Sequence, residues 1–282
     1  MGNILSDAPN RANPVVGVGQ FIAWNGGCIF IGRHDSQIPV HSHQAIQLVV
    51  GRSAKARVHT AEQAPWIEYS AAIIASRQPH GLDVTASDYG VVLFVEPETR
   101  AGQAIREQHL QGEGVVEVGG DTVLSATHNL FDVWLEQRGR AAIAEAAQRV
   151  VQVLAAGVEP AVVTDPRILN AIAYINDHIA DELTLDDVAS HAYLSPSRFR
   201  HLFVEQTGMA LRPYILWRRF LHVWDLLMAG QTLSSAAHSA GFADAAHLTR
   251  TSRRTFGFVP SAMLITPSPP PSRGAAPPRE QG

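Results

Sequence analysis

Two stretches of the C-terminal third follow one plan: TLDDVASHAYLSPSRFRHLFVEQTG at residues 184–208 and TLSSAAHSAGFADAAHLTRTSRRTFG at residues 232–257. Each begins with a threonine that can cap a helix and a short segment rich in small residues. A tight turn follows, and then a longer amphipathic segment that ends at a glycine. Two short helices joined by a tight turn form a helix-turn-helix. The repeat therefore predicts two such units in series.

The offset between equivalent residues of the two units increases by one from the turn to the end of each unit. The offset between the turn residues Tyr193 and Gly241 is 48 residues, whereas the offset between the closing glycines Gly208 and Gly257 is 49. A single predicted helix, residues 212–229, bridges the units, and at 1.5 Å per residue it is about 27 Å long. Recognition helices held at such a spacing can enter successive major grooves, which lie about 34 Å apart on one face of DNA.

The stretch from Asp165 to Leu264 resembles the AraC/XylS family of transcription regulators. The motifs that carry the resemblance are LDDVA at 185–189, LSPS at 194–197, AGFAD at 240–244, HLTR at 247–250 and FGFVPS at 256–261. The resemblance covers about a hundred residues, and its second half is the more specific. It implies a sequence-specific DNA-binding regulator with RNA polymerase as a partner.

The resemblance also assigns roles to individual positions. It implies base contacts from two recognition helices, by Ser197, Arg200, His201, Ala245, Ala246, His247 and Arg250. It implies phosphate contacts by Ser195, Thr249 and Arg253. Two positions depart from the family pattern: His201 stands where Arg or Lys is usual, and Ser252 replaces a core Phe. We therefore expect one weakened DNA contact and a less stable second unit.

The first hundred residues predict a β domain, because short apolar or alternating runs are separated by Gly and Pro. Regularly spaced runs of this kind are typical of a sandwich or barrel. The family resemblance implies a cupin-like barrel that binds an effector. In this chain His41-Ser42-His43 with Gln47 resembles the first cupin motif, and Pro79-His80-Gly81 resembles the second.

An effector pocket is therefore expected around these histidines, with the candidate residues Trp24, Arg33, His41, His43, Gln47 and His80. A cupin metal site uses a carboxylate beside its histidines, and Gln47 replaces that carboxylate with a neutral amide. We expect no cofactor, although His41, His43 and His80 are the residues that would hold a divalent metal. An organic effector, a metal and a purely structural histidine pair remain open.

The predicted fold class is α+β, with an N-terminal cupin-like β-barrel, following helices and an all-α double helix-turn-helix domain. Residues 124–135 and 141–154 have helical periodicity, and Leu124, His128, Phe131 and Leu135 fall on one stripe that packs on the β domain or forms a dimer interface. The predicted organisation is a cupin-like effector-sensing β domain at 1–100, a helical dimerisation segment at 101–156, a linker at 157–164, the double helix-turn-helix domain at 165–266 and a disordered tail at 267–282.

Bulk properties restrict the function classes. The net charge of −4 argues weakly against nucleic acid as a partner, so the placement of the arginines matters more than the sum. The sequence contains no apolar run long enough for a membrane span, and the lone Cys28 excludes a disulfide within the chain. We expect a cytoplasmic homodimer without enzymatic activity or catalytic residues. The alternatives are a metal-dependent cupin enzyme with a C-terminal DNA-binding appendage, and a regulator whose sensor only dimerises.

Overall fold

The N-terminal part of the chain is rich in strands and the C-terminal part is helical, as the sequence predicts. The computed structural model describes residues 17–97, 99–156, 163–256, 263–265 and 269. The strands of the first part are β1 (Gly17–Trp24), β2 (Gly27–His34), β3 (Ile38–His41), β4 (Ile46–Gly51), β5 (Ala56–His59), β6 (Ile67–Tyr69), β7 (Ala72–Ile74), β8 (His80–Asp83), β9 (Gly90–Val95) and β10 (Val115–Glu117).

Helices dominate after residue 100. The first is α1 (Arg100–Ile105), which continues into a π-helical turn at Arg106–Leu110. The remaining elements are α2 (Asp121–Leu135), α3 (Arg140–Leu154), α4 (Pro166–Asp177), α5 (Leu185–His191), α6 (Pro196–Thr207), α7 (Leu211–Met228), α8 (Leu233–Ser239), α9 (Ala245–Phe256) and the short strand β11 (Met263–Ile265). None of the described helices is both long and apolar enough to cross a membrane.

The strands form a seven-stranded sheet in the order β10-β7-β4-β9-β2-β1-β11 and a four-stranded sheet in the order β3-β8-β5-β6. Side chains alternate between the two faces of a strand, and the larger sheet is buried on both faces. Phe30 and Phe94 lie in a cluster with Val58 and Leu82 of the smaller sheet. Residues of the opposite face, such as Ile29 and Leu93, pack with α2 and α3 instead. Double burial explains why β9, GVVLFV, is apolar throughout.

The predicted closed barrel is not confirmed. Among the described strands, no hydrogen-bonded pairing joins the seven-stranded sheet to the four-stranded sheet. The architecture is therefore two facing sheets, which the strand pattern of the sequence could not distinguish from a barrel. Both arrangements produce the same alternation along each strand.

The predicted helices at 124–135 and 141–154 correspond to α2 and α3, but the buried stripe of α2 differs from the predicted one. Its buried residues are Val123, Thr127, Leu130, Phe131 and Trp134, and His128 is exposed. The face packs against the large sheet and α3. Trp134 has a larger apolar surface to bury than Leu135, so α2 turns its Trp134 side toward the core. In this orientation His128 faces the solvent.

Four of the C-terminal helices begin at a residue whose side chain caps the helix. The Asp165 side chain accepts from the backbone N–H of Arg167, and Thr184 and Asp187 form a reciprocal capping box. The side chains of Ser195 and Thr232 cap α6 and α8 by accepting from the backbone N–H groups of Arg198 and Ser235. The bridging helix α7 has 18 residues and is about 27 Å long. Two helix-turn-helix units, α5–α6 and α8–α9, therefore flank one central helix.

One pairing was not expected. β11 lies beside β1 in parallel, with Gly17 opposite Met263 and Gly19 opposite Ile265. The last strand thus belongs to the N-terminal sheet although it follows the helical domain in sequence. Most of the predicted linker at 157–164 and most of the predicted tail at 267–282 lie outside the described residues.

Candidate nucleic-acid interface and histidine cluster

The turns of the two units share one unusual backbone conformation. Tyr193 has φ 54° and Gly241 has φ 75°, so both lie in the left-handed region that L side chains rarely adopt. Two residues separate Gly241 from the cap Asp244, but only one separates Tyr193 from the cap Ser195. The additional residue explains the change of offset from 48 to 49. By the second offset, His201 corresponds to Arg250 and Phe203 to Ser252.

Helix α6 buries one side and exposes the other. Phe199 and Phe203 are fully buried, whereas Ser197, Arg200 and His201 are exposed. The exposed residues are spaced three and four apart, so they share one face of the helix. The cap Ser195 is exposed at the end of the same helix, and its Oγ accepts from the N–H of Arg198 at 3.4 Å.

Two exposed residues beside this face were missed by the sequence analysis. Tyr193 is 86% exposed in the turn, and Val204 is 41% exposed one helical turn beyond His201. A phenol can donate to phosphate, and an apolar side chain can contact the methyl group of thymine. The spacing from Ser197 to Val204 is seven residues, a helical repeat that was the available signal.

Helix α9 presents an exposed stripe of Ala246, Arg250 and Arg253. Three other predicted contact residues, Ala245, His247 and Thr249, are only partly exposed. The Nδ1 of His247 accepts from the N–H of Ala243 at 3.2 Å, so its Nε2 carries the proton when the ring is neutral. The Nε2 of His247 can therefore donate to a base or a phosphate, while its Nδ1 accepts from a backbone N–H next to the start of α9.

The inner side of α9 is polar where that of α6 is aromatic. Leu248 is fully buried, but its buried neighbours on the helix are Thr251, Ser252 and Thr255. Ser252 is fully buried at the position that corresponds to Phe203. The polar interior agrees with the expectation, taken from the Ser252 departure, that the second unit is held less strongly by its own core.

In the N-terminal part, the structure brings His41, His43 and His80 together. Ring centroids are 4.5 Å apart for His41 and His80, 5.0 Å for His43 and His80, and 5.5 Å for His41 and His43. One ring nitrogen of each lies within 4.8 Å of those of the other two. Strand β3 ends at His41, so His43 reaches the cluster from the following loop rather than by strand alternation.

Every imidazole in this histidine cluster is oriented by a backbone carbonyl. The Nδ1 atoms of His41, His43 and His80 lie 2.9, 3.0 and 2.8 Å from carbonyl oxygens of Pro39, Ala45 and Gln78. Because a carbonyl only accepts, each Nδ1 carries the proton and each Nε2 is left with a lone pair. Burial, with a smaller contribution from the neighbouring imidazoles, lowers the pKa of His43 to about 4 and that of His80 to about 3. Both rings are therefore neutral at pH 7.

Gln47 closes the histidine cluster. Its amide end lies 2.7 Å from Nε2 of His43 and 3.3 Å from Nε2 of His80, with Oε1 placed toward them and its own Nε2 without a hydrogen-bond partner. Oxygen facing two lone pairs is unfavourable, and the reversed amide removes the conflict. The NH₂ group of Gln47 then donates to both imidazoles.

The remaining predicted effector residues lie elsewhere. Arg33 forms an ion pair with Asp35 at 2.9 Å. Trp24, at the end of β1, lines a separate cavity between the N-terminal part and the helical domain. The predicted effector set is therefore divided, with four of its six members, His41, His43, Gln47 and His80, in the histidine cluster.

Comparison with known proteins finds matches to part of this chain. Residues 188–264 match the family described as a helix-turn-helix domain. The regulatory protein PocR of Salmonella typhimurium is 32% identical over 99 residues, which are 35% of this chain and 33% of PocR. The arabinose operon regulatory protein of Escherichia coli is 31% identical over 102 residues, 34% of each protein. The crystal structure of ToxT from Vibrio cholerae has a TM-score of 0.42 and 11% identity, over 84% of this chain and 97% of ToxT.

The sequence matches span about a third of this chain and about a third of the length of PocR and of the arabinose operon regulatory protein. The family match runs from within α5 to β11 and so includes both recognition helices and the bridging helix. The helical region of this chain is therefore similar to a helix-turn-helix domain, and about a third of the chain is similar to these regulatory proteins.

Proposed function

We propose that this chain is a transcription regulator that binds specific sites in double-stranded DNA and responds to a small-molecule effector through its N-terminal part. One observation carries the proposal: two exposed polar stripes, on α6 and α9, belong to helices joined by the single helix α7. The matched relatives are both named as regulatory proteins, which supports the same interpretation.

The base contacts in this proposal come from the outer faces of the recognition helices. Arg200 and Arg250 are the strongest candidates, because an exposed guanidinium can donate two hydrogen bonds to guanine. The other proposed base contacts are Ser197, His201, Ala245, Ala246 and His247. Ser195, Thr249 and Arg253 contact phosphates and fix the position of the helices on the duplex.

Selection from random DNA followed by footprinting on the full chain tests this proposal. We expect an enriched site in which each protomer protects two major-groove segments about one helical turn apart. Arg250→Ala removes one positive charge from the proposed interface, and the control variant Lys55→Ala removes one from an exposed position of the N-terminal part, just before β5. Affinity loss confined to the first variant supports the proposal. An unenriched pool, or equal losses in both variants, contradicts it.

For the effector response, we propose that the two facing sheets act as a cupin-like sensor and that the histidine cluster is its polar site. The cluster combines buried, neutral imidazoles with the partly exposed His41. In a reporter assay under an operator selected as above, His43→Ala should abolish the response to an inducing metabolite extract. Operator binding by the same variant should change little. Unchanged induction in the variant contradicts this role.

A resident metal fits the histidine cluster poorly, and we propose that the protein works without one. With its amide reversed, Gln47 already donates to two of the three available lone pairs, and among the described residues the histidine cluster holds no carboxylate to balance a dication. Titration with ZnCl₂ should therefore show weak binding to the native chain. Binding should tighten in Gln47→Glu, which supplies the missing anionic ligand, and His80→Ala in that background should abolish the gain. Tight binding by the native chain would favour the metal-dependent cupin enzyme.

The assembly in this proposal is a homodimer formed through the helical segment at 101–156, and RNA polymerase is its partner at promoters. Dimerisation would raise the affinity of a domain whose charges nearly balance, because two linked sites bind with a high effective concentration. Sedimentation of the full chain at micromolar concentration should give a dimer. A monomer at these concentrations would contradict this part of the proposal.

A further inference from the structure

A groove with a volume of about 500 Å³ lies on the N-terminal part, next to the loop that carries His43. All of its described lining residues belong to the N-terminal part except Pro213, which is on α7. The groove is separate from the cavity lined by Trp24, because the two share no described lining residue. Its volume falls within the range of small-molecule sites.

Four charged side chains line this groove, two of each sign. Arg77 and Arg106 are positive, and Glu96 and Glu113 are negative. Arg77, Arg106 and Glu113 are exposed, and none of these three forms an ion pair with another described residue. Uncompensated charges of both signs on the walls of one groove favour a ligand that itself carries both charges, because each charged group then gains a charge-assisted hydrogen bond.

Both arginines of the groove lie on irregular backbone. Arg77 has φ 65°, a conformation that is rare for arginine and persists only where the surrounding structure holds it. Its N–H donates to the carbonyl oxygen of His43 at 2.7 Å, and the Oγ of Ser76 donates to that of Gln44 at 2.5 Å. Arg106 begins the π-helical turn, a distortion that is frequent at functional sites. The two guanidinium groups are therefore placed by the tertiary structure rather than by regular elements.

The other walls of the groove are largely apolar. Ile46 on β4 and Leu110 in the π-helical turn are buried, and Pro97 and Pro213 are partly buried. An aliphatic side chain of a few carbon atoms can pack against such a surface. Charged groups of both signs beside an apolar wall match the chemistry of an α-amino acid with an aliphatic side chain.

Two residues that line the groove also hold the helical domain. The Oε2 of Glu96 accepts from the indole N–H of Trp217 on α7 at 2.7 Å, and both side chains are buried. The backbone N–H of Gln44 donates to the carbonyl oxygen of Arg254 on α9 at 3.3 Å. The groove therefore borders one contact to the bridging helix and one contact to the second recognition helix.

We propose that this groove is a binding site for a zwitterionic α-amino acid with an aliphatic side chain. The carboxylate of the ligand pairs with Arg106 and Arg77, its ammonium group pairs with Glu113, and its side chain packs against Leu110. A ligand here lies next to the Glu96 and Gln44 contacts, so it favours one arrangement of the two parts of the chain. A resulting change in affinity for DNA rests on the proposed function.

Three probes of similar shape separate the two charges. The first is L-leucine, the second is 4-methylpentanoate, which lacks the ammonium group, and the third is L-leucinamide, which lacks the carboxylate. Calorimetric titration of the full chain without DNA should show saturable binding of L-leucine. Each of the other two should bind about tenfold more weakly, the loss expected for one charge-assisted hydrogen bond. No saturable binding of L-leucine, or an analogue that binds as tightly as L-leucine, overturns the proposal.

Variants that each remove one charge locate the two ends of the ligand. Arg106→Gln should lose about tenfold in affinity for L-leucine and leave L-leucinamide unchanged, and Glu113→Gln should lose about tenfold for L-leucine and leave 4-methylpentanoate unchanged. The controls Lys55→Ala and Glu145→Gln remove exposed charges elsewhere and should bind all three probes as the native chain does. Unchanged L-leucine affinity in the first two variants, or equal losses in the controls, contradicts the assignment. Because DNA is absent, a chain that selects no DNA would refute the proposed function while leaving this result intact.

Discussion

The two helix-turn-helix units have the same plan but are stabilised in different ways. In the first, α6 is anchored by Phe199 and Phe203, and its turn is formed by an exposed Tyr193. In the second, α9 buries one leucine among threonine and serine, and its turn is formed by Gly241, which packs closely against the backbone that follows α4 and against Arg219 of α7. A Cβ at Gly241 would lie 2.8 Å from the carbonyl oxygen of Ile179.

The difference shows that a recognition helix can be positioned through its core or through its turn. Arg219 on α7 donates to the carbonyl oxygens of Ile179 and Asp181 at 3.1 and 2.7 Å, at the C-terminal end of α4. Gly241 packs onto the same place. The second unit is therefore held in place mainly at its turn. Its outer face carries Arg250 and Arg253 at the positions where the first unit has His201 and Val204. Stability is concentrated in one unit and positive charge in the other.

The largest effect expected from this comparison is on folding. Phe203→Ala should lower the free energy of unfolding by about 3–5 kcal/mol, the usual cost of removing a buried phenylalanine side chain. The corresponding change Ser252→Ala should cost about 1 kcal/mol, because only one hydroxyl is lost. Urea denaturation followed by tryptophan fluorescence measures both. Equal losses would mean that the two helices are anchored alike.

The turns provide the next comparison. Gly241→Ala should cost about 2–3 kcal/mol, because a left-handed backbone is strained for alanine and the new Cβ meets two carbonyl oxygens. Tyr193→Gly should change stability by less than about 1 kcal/mol, since strain is relieved while unfolded-state entropy increases. Hydrogen exchange of α8 and α9 in the first variant should rise more than that of α5 and α6. An equal rise in hydrogen exchange across both units would contradict the inference that the Gly241 turn holds the second unit in place.

At the level of DNA recognition, Arg250→Ala should remove about 1–3 kcal/mol of discrimination at one base pair, by loss of a bidentate contact to guanine. His201→Ala should have a smaller effect, because imidazole offers fewer donors than guanidinium. Binding profiles across single-base operator variants measure this. His201→Arg serves as the converse change and should raise affinity. A uniform loss in Arg250→Ala, with base preferences unchanged, would assign base recognition to the first unit.

The smallest expected effect concerns phosphate contact. Arg253→Ala should weaken binding to all sequences similarly and reduce the slope of log affinity against log salt by about one. The corresponding Val204→Ala should leave that slope unchanged. Titrations at several salt concentrations distinguish the two. A slope that is unaffected in Arg253→Ala would remove this residue from the interface.

Local features of the helical region were predictable from the sequence. Asp165, Thr184, Ser195 and Thr232 act as caps because each supplies a side-chain oxygen next to a helical pattern, which is a short-range property. The change of offset between the units is also visible in the sequence, although only the structure assigns it to the turn. Such signals are contained within a few residues and do not depend on the rest of the fold.

Features that depend on distant parts of the chain were not predictable. The pairing of β11 with β1 joins residues about 246 positions apart, and a three-residue strand has no distinctive periodicity. Arg218 and Asn25 meet across a similar gap beside the cavity that Trp24 lines, and neither is unusual in its local sequence. In the histidine cluster, the resemblance to cupin motifs brought the right residues together, but only the structure shows that the Gln47 amide occupies two of their nitrogens.

The position of β11 has a consequence for synthesis of the protein on the ribosome. One edge of β1 pairs with β2, and the other receives its partner only after residues 263–265 have been made. At typical translation rates of about 5–20 residues per second, about 12–50 s separate the two strands. During this time the nascent sheet has an open edge of the kind that pairs with other chains. Slowing translation late in the coding sequence would therefore prolong the interval in which the nascent protein is most prone to aggregate.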